Sequence, residues 1–515
     1  MRRLAFVNPV RLQRKQAGVF MGLDTRDVSA ENSFTDMKNM CADYYPAIST
    51  RKSRGSVIRN LDKPHGLFWK NGLAYVDGNG FYFEGQRIGS VQDNDKQMVG
   101  MGAYIIIFPD KYCFNTNDKS WKAMEVSWQQ SSSATIAPTY EGSTYVKITC
   151  TGIGKDFAQY DTVEISGCTN ADLNKSVTIQ QIQENEIIIL GTLEKEFTQA
   201  SGLKMERKIP DMDFVTECDN RLWGCSSKNH EIYASKLGDP MNFSSFEGIS
   251  SDSYAATVGS DGDFTGAVTH MGYVIFWKED CYHKVMGNKP SNIQINMQPA
   301  RGVAKGCEKS LCIVNETLYY AGRNNICAFE GAMPRSISDT LQGLHYTEAA
   351  GKQYGNRYYL SVKIDGEWKL YVYDQTAGAW YLEDNTDLTY AAYGAGMLYY
   401  VDADGNIRTI TGESDEQIEW YMESGDQIEG SLEKKYLNKI QFMLELDAGA
   451  VVDIFLKYDA EEQWERILTV STETKRSYSV PIRPKRCLRY RYRIQGIGSV
   501  KLYGIGKYIE SGSEI

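Results

Sequence analysis

A chain of 515 residues that is 42% hydrophobic and 24% charged is too long for a single core and reads as two to four soluble domains. Its formal net charge of −10 argues against tight, sequence-independent binding to DNA through phosphate neutralisation, although an acidic wall would let DNA slide past. No apolar run approaches the roughly 18 residues of a membrane helix, and the opening Met-Arg-Arg-Leu-Ala-Phe-Val-Asn-Pro lacks a signal peptide's apolar region, so manufacture in a cytosol and no membrane contact are expected.

Residues 1–60 read as an extended N-terminal arm, basic at Arg2, Arg3, Arg11, Arg14 and Lys15. One helical stretch is expected over residues 30–40, opened by Ser29. Residues 61–126 then carry two hairpins. Their first strands are NGLAYVDG from Asn71 and MGAYIIIF from Met101. The hairpin recurs five more times over residues 207–415, as in DNRLWGC from Asp219 and NETLYYAG from Asn315. Aligning Leu222, Tyr273, Leu318, Tyr358 and Leu398 gives gaps of 51, 45, 40 and 40 residues. Repeats of about 40 to 50 residues, each a small antiparallel sheet, are the signature of a β-propeller. Between Leu73 and Tyr104 the gap is only 31, so one hairpin is expected to complete a blade begun elsewhere, by the arm or the chain near residue 411. Six or seven blades fit.

From Tyr104 to the next anchor, Leu222, there are 118 residues, so an inserted domain is expected at 127–206. Four alternating strands at 144–153, 161–168, 173–183 and 185–193 suit a small β-barrel. Residues 416–515 hold six further strands without propeller spacing, expected to form a C-terminal β-sandwich. In one of them Arg489, Arg491 and Arg493 alternate with Leu488, Tyr490 and Tyr492. The fold class is therefore all-β: a propeller with an inserted small barrel and a terminal sandwich.

Candidate chemistry is sparse. The five His residues (His65, His230, His270, His283, His345) show no metal-ligand spacing, and the eleven scattered Cys include no Cys-x-x-Cys pair. Neither a Gly-x-Ser-x-Gly elbow nor a Walker loop occurs. Asp402-Ala-Asp404-Gly-Asn406 resembles the start of a calcium loop, but it lacks the Glu at position twelve and is expected to be a hairpin turn, as are Asp77-Gly78 and Asp261-Gly262-Asp263. No catalytic, cofactor-binding or metal-ligating residue is assigned, and a non-enzymatic protein without cofactor is expected. The basic strand at 485–493 suits a protein partner better than nucleic acid.

Three phrases resemble tailed-phage structural proteins. The first is Gly22-Leu23-Asp24-Thr25-Arg26-Asp27 with Asn39-Met40 and Tyr45-Pro46-Ala47-Ile48-Ser49-Thr50-Arg51. The second is Asn220-Arg221-Leu222-Trp223-Gly224, and the third runs from Glu231 to Phe243. The resemblance implies a tail nozzle or packaged-DNA stabilisation type of virion protein. Such proteins form homo-oligomeric rings, often six-fold, in the tail or neck, contact adjoining neck and tail proteins, and surround double-stranded DNA without reading its sequence. The competing expectation is a carbohydrate-binding or carbohydrate-acting propeller, receptor-binding or glycosidase-like, whose aromatics would lie in loops. Tyr75, Trp223, Tyr319, Tyr359 and Tyr399 fall instead inside expected strands.

Overall fold

In the computed structural model, residues 12–414, 416–471 and 475–511 are described. Arg2, Arg3 and Arg11 lie outside them. The fold is all-β, and the chain divides into two compact units: Asp62–Glu308, and residues 12–61 with 309–511.

Four four-stranded antiparallel meanders stand in the first unit. They comprise Pro64–Trp69 to Gln86–Ser90, Gln97–Met101 to Trp121–Ala123, Phe214–Cys218 to Tyr254–Thr257, and Gly266–His270 to Gln294–Pro299. Successive sheets share cores. Ala74, Val76 and Phe81 of the first pack with Ile105, Ile107 and Phe114 of the second. Ile106 and Phe108 pack with Val215 and Leu222 of the third. Trp223 and Ile232 pack with Val274 and Phe276 of the fourth. The second strands thus offer apolar side chains to both faces of their sheets, which is why they read as nearly continuous apolar runs.

The second unit holds three more meanders of four strands. The fifth runs from Cys312–Val314 to Arg335–Ser336 and the sixth from Glu348–Tyr354 to Ala379–Leu382. The seventh contains Ala391–Gly394, Met397–Val401, Asn406–Thr409 and, as its fourth strand, Arg59–Asn60. The N-terminal segment therefore completes a sheet begun some 330 residues later. The first and second sheets each own four strands, so the short gap after Leu73 reflects short connections rather than a shared sheet.

Residues 126–207 form an eight-stranded ladder around one core that includes Ile136, Ile148, Val163, Ile165, Ile179 and Ile189. The four expected strands lie within it. A closed barrel is not what forms: no pairing joins the ladder's ends, Val126–Gln129 and Phe197–Gln199, among the described residues. Ser176–Gln183 carries an irregularity between Ile179 and Gln181, pairing with Thr162–Ser166 before it and Glu186–Leu190 from it onward. Such a bulge bends a strand so that it can serve two sheets.

Two sheets occupy the rest of the second unit. One is built on Lys435–Leu446 and Val500–Ser511, the other on Glu419–Ser424, Tyr490–Ile497 and Val451–Tyr458. Phe442 of the first meets Tyr492 of the second with ring centroids 6.2 Å apart. Residues 12–60 are woven into both sheets rather than standing off as an arm. Leu12–Ala17 pairs with Val500–Ser511, Phe34–Lys38 with Glu419–Ser424, and Ile48 opposes Leu502. The helix expected over 30–40 is replaced by the strand Phe34–Lys38, because ladder pairing and burial of Phe34 and Met37 outweigh a local cap.

Candidate functional site

A set of buried charges lies within the second unit, where the N-terminal segment crosses the end of the sixth sheet. Asn39, with φ of 59°, donates its backbone N–H to the Glu383 carbonyl at 2.6 Å and its side-chain amide to the Glu419 carbonyl at 2.8 Å. Its side-chain oxygen accepts from Arg51 Nε at 2.7 Å. Arg51 then reaches Glu416 Oε1 at 2.7 Å and Asp384 Oδ2 at 3.2 Å. Arg54 contacts Glu383 Oε2 and Asp384 Oδ2, both at 2.8 Å, and donates to the Ile410 carbonyl at 2.8 Å.

Electrostatics divides this pair of carboxyls. Burial pushes Glu383 up, and the Arg54 charge only partly offsets it. Burial would raise Asp384 too, but the Arg54 and Arg51 guanidinium groups outweigh it and hold it at about 2. Arg54 is raised by its two acidic neighbours despite burial. Proton transfer needs a carboxyl within reach of a substrate. Here both acids are enclosed by arginines, so the arrangement holds backbone segments together.

Gly22 explains the start of the same motif. Its φ is +67°, and a Cβ there would stand 2.3 Å from the Trp380 carbonyl oxygen. Leu23 N–H donates to that same carbonyl at 2.7 Å, and Asp24 grips Arg26 through two bonds of 2.8 and 2.7 Å. Beside the junction opens a cleft of about 870 Å³ whose lining includes Asp43, Tyr44, Arg51, Lys52, Glu445 and Lys501. Its charges are mixed, and Glu445 and Lys501 pair across it at 3.0 Å. Glu445 is held below the usual carboxylate range by the Tyr503 hydroxyl and Lys501, and Lys501 Nζ stands 4.3 Å from the Tyr44 ring centre.

In the first unit the second and third motifs meet at Arg221, which is 1% exposed. Its guanidinium donates to the carbonyls of Ser235, Asp252 and Ser250 at 2.7, 2.6 and 2.9 Å. Asp252 in turn accepts from the backbone of Gly248 and Ile249 and from the Ser245 hydroxyl. Asn242 donates to Thr162 of the inserted sheet at 3.0 Å. Sequence reasoning picked out these motifs without assigning any of their residues a role. The buried Arg and Asn inside them are the signal that points to structural locks.

Other sequence candidates resolve as local structure. Asp402 accepts from the backbone N–H groups of Asp404 and Asn406 and from Arg408 Nε, while Gly405 takes φ of 81°, so this is a turn closed on itself. Gly78 and Gly262 take φ of 53° and 80° in the other two turns. The basic strand is neutralised within its own sheet. Arg489 and Arg491 reach Asp426 at 2.5 and 2.6 Å, Arg493 lies over the Tyr421 ring at 4.6 Å, and Lys485 reaches Glu465 at 3.0 Å. A phosphate backbone would have to displace these acids. His65 lies between Asp93 and Asp95, and His283 Nε2 meets the Ser260 hydroxyl at 3.1 Å. Burial, with Lys278 nearby, lowers His283 to about 4. No cluster of three or more metal-ligating side chains occurs among the described residues. Also among them, no helix is long and apolar enough to cross a membrane.

No family model and no curated protein matches the chain. Solved structures do. A phage phi92 endosialidase matches at 10% identity over 72% of this chain and 70% of its own, with a TM-score of 0.27. BamB from Moraxella catarrhalis matches at 11% identity over 71% and 99%, with a TM-score of 0.38. An exo-beta-1,3-galactanase from Phanerochaete chrysosporium matches at 9% identity over 72% and 95%, with a TM-score of 0.22. At such values the likeness carries no inference about activity.

Proposed function

We propose that the seven four-stranded sheets are blades of one β-propeller, and that the chain is a structural part of a tailed-phage tail or neck. It works as a homo-oligomeric ring around the DNA channel, contacting adjoining ring proteins and leaving DNA mobile. One observation carries this reading: the motif residues behind the phage resemblance are those that fasten the chain to itself. Gly22, Asn39 and Arg51 tie the N-terminal segment to the sixth sheet and to Glu416, and Arg221 ties the loop of the third motif.

The mechanism involves no bond chemistry. A part that bears load between neighbours needs its ends secured, and Arg59–Asn60 and Leu12–Ala17 add backbone ladders to the seventh sheet and to Val500–Ser511. The net charge of −10 favours passage of DNA over adhesion. Tyr75, Trp223, Tyr319 and Tyr359 are each at most 3% exposed, which supports packing over sugar stacking; Tyr399 is half-buried. Negative-stain microscopy of the purified chain, alone and with its neighbouring proteins, tests the reading. Closed rings are expected once the neighbouring proteins are present; their absence under that condition would overturn it.

A further inference from the structure

We infer that the edge strand Gln294–Pro299 is a self-association surface that pairs, antiparallel and about a two-fold axis, with the same strand of a second copy of this chain. This inference stands apart from the ring reading, since a two-fold contact is not one that closes a polar ring. It describes the free protein before assembly.

Gln294–Pro299 is the outer strand of the fourth sheet, paired on one side with Cys281–Met286. Its residues are exposed except Ile295, which is half-buried against the core, and Met297 is 50% exposed. Its outer backbone groups form a row that an extended chain can complete. Such edges are usually blunted by a charge or interrupted by a proline. The run from Gln294 to Gln298 contains neither. Three other outer strands differ: Gln86–Ser90 carries Arg87, Trp121–Ala123 carries Lys122, and Arg335–Ser336 is two residues long; Tyr254–Thr257 also lacks a charge but is shorter and half-buried at Tyr254 and Ala256.

The sequence itself names the occupant. Gln-Ile-Asn-Met-Gln, read antiparallel about Asn296, places Gln294 opposite Gln298, Ile295 opposite Met297, and Asn296 opposite itself. Amides then meet amides on one face and apolar side chains meet on the other, the pairings that favour cross-strand contact. Extending the register sets Arg301 opposite Ser291, so no like charges oppose. A single strand pair is far smaller than a standard interface of about 1,600 Å², so the dimer should be reversible and concentration-dependent.

Sedimentation velocity of the full chain over a concentration series is the test. Wild type should show a monomer–dimer equilibrium. Asn296→Asp keeps the side-chain size and faces Lys284 within its own sheet, but it opposes two carboxylates across the axis. It should weaken dimerisation at least tenfold, and added salt should restore part of it. Independently, Asn296→Cys should form a covalent dimer on mild oxidation, where wild type does not. Monomer at every concentration, or a dimer that is indifferent to Asn296→Asp and not trapped by Asn296→Cys, would overturn the inference.

Discussion

Arg51 Nε donates to Asn39 Oδ1 at 2.7 Å, joining two motif positions twelve residues apart, and the same guanidinium continues to Glu416 at 2.7 Å. This one side chain links the N-terminal segment, which also bonds the end of the sixth sheet through Asn39, to the linker that enters the terminal sheets.

Arg54 is the element of this junction with most to lose. Replacing it by Met leaves Glu383 and Asp384 buried with their principal counter-charge gone. Removing one partner of a buried ion pair costs about 3–5 kcal/mol. Arg54→Met should lower the urea midpoint accordingly, and Arg54→Lys should recover only part of the loss, because an ammonium cannot bridge both carboxyls in the same fork.

Asp384 gives the junction a pH signature. Its folded-state value of about 2 lies below the ordinary 3.8, so its stabilisation is present above about pH 4 and lost as pH falls toward 2. The difference corresponds to about 2 kcal/mol. Glu383, shifted the other way by burial, opposes part of this at neutral pH. Denaturation midpoints measured from pH 5 to 2 should fall less steeply for Asp384→Asn than for wild type. Parallel slopes would remove Asp384 from the acid response.

Gly22→Ala combines a left-handed backbone with a Cβ 2.3 Å from the Trp380 oxygen. Either the turn or the sixth sheet must move, at a cost of about 3 kcal/mol. Hydrogen exchange at Leu23, whose N–H bonds that oxygen, should accelerate in the variant before global unfolding.

Arg221→Lys keeps the charge but cannot serve three carbonyls in a plane. The loop that Arg221 holds carries exposed Leu237, Phe246 and Ile249. Limited proteolysis should cut the variant within residues 237–250 at concentrations that spare wild type. Equal cleavage would mean that the Asp252 turn alone holds the loop.

The repeat was legible because strand alternation and positive-φ turns are local. Leu222, Leu318, Tyr358 and Leu398 are all fully buried, as a common repeat position requires. Tyr273 is 36% exposed, and its neighbour Val274 takes the buried place. Slipping the register by one residue turns a side chain to the other face, so the true spacings there are 52 and 44. Sequence could not reveal how Leu12–Ala17 finds Val500–Ser511, because no local period encodes a pairing across nearly the whole chain. The same holds for the arginine stripe: Asp426 and Glu423 neutralise it from a strand and loop some 60 residues earlier.

The central claim is a structural place in a virus particle, and quantitative mass spectrometry of purified particles tests it most directly. Particles from lysates that produce this chain should contain it at a fixed copy number, consistent with a ring, that survives repeated gradient purification. Its absence from particles, with the chain recovered only as free monomer, would contradict the account.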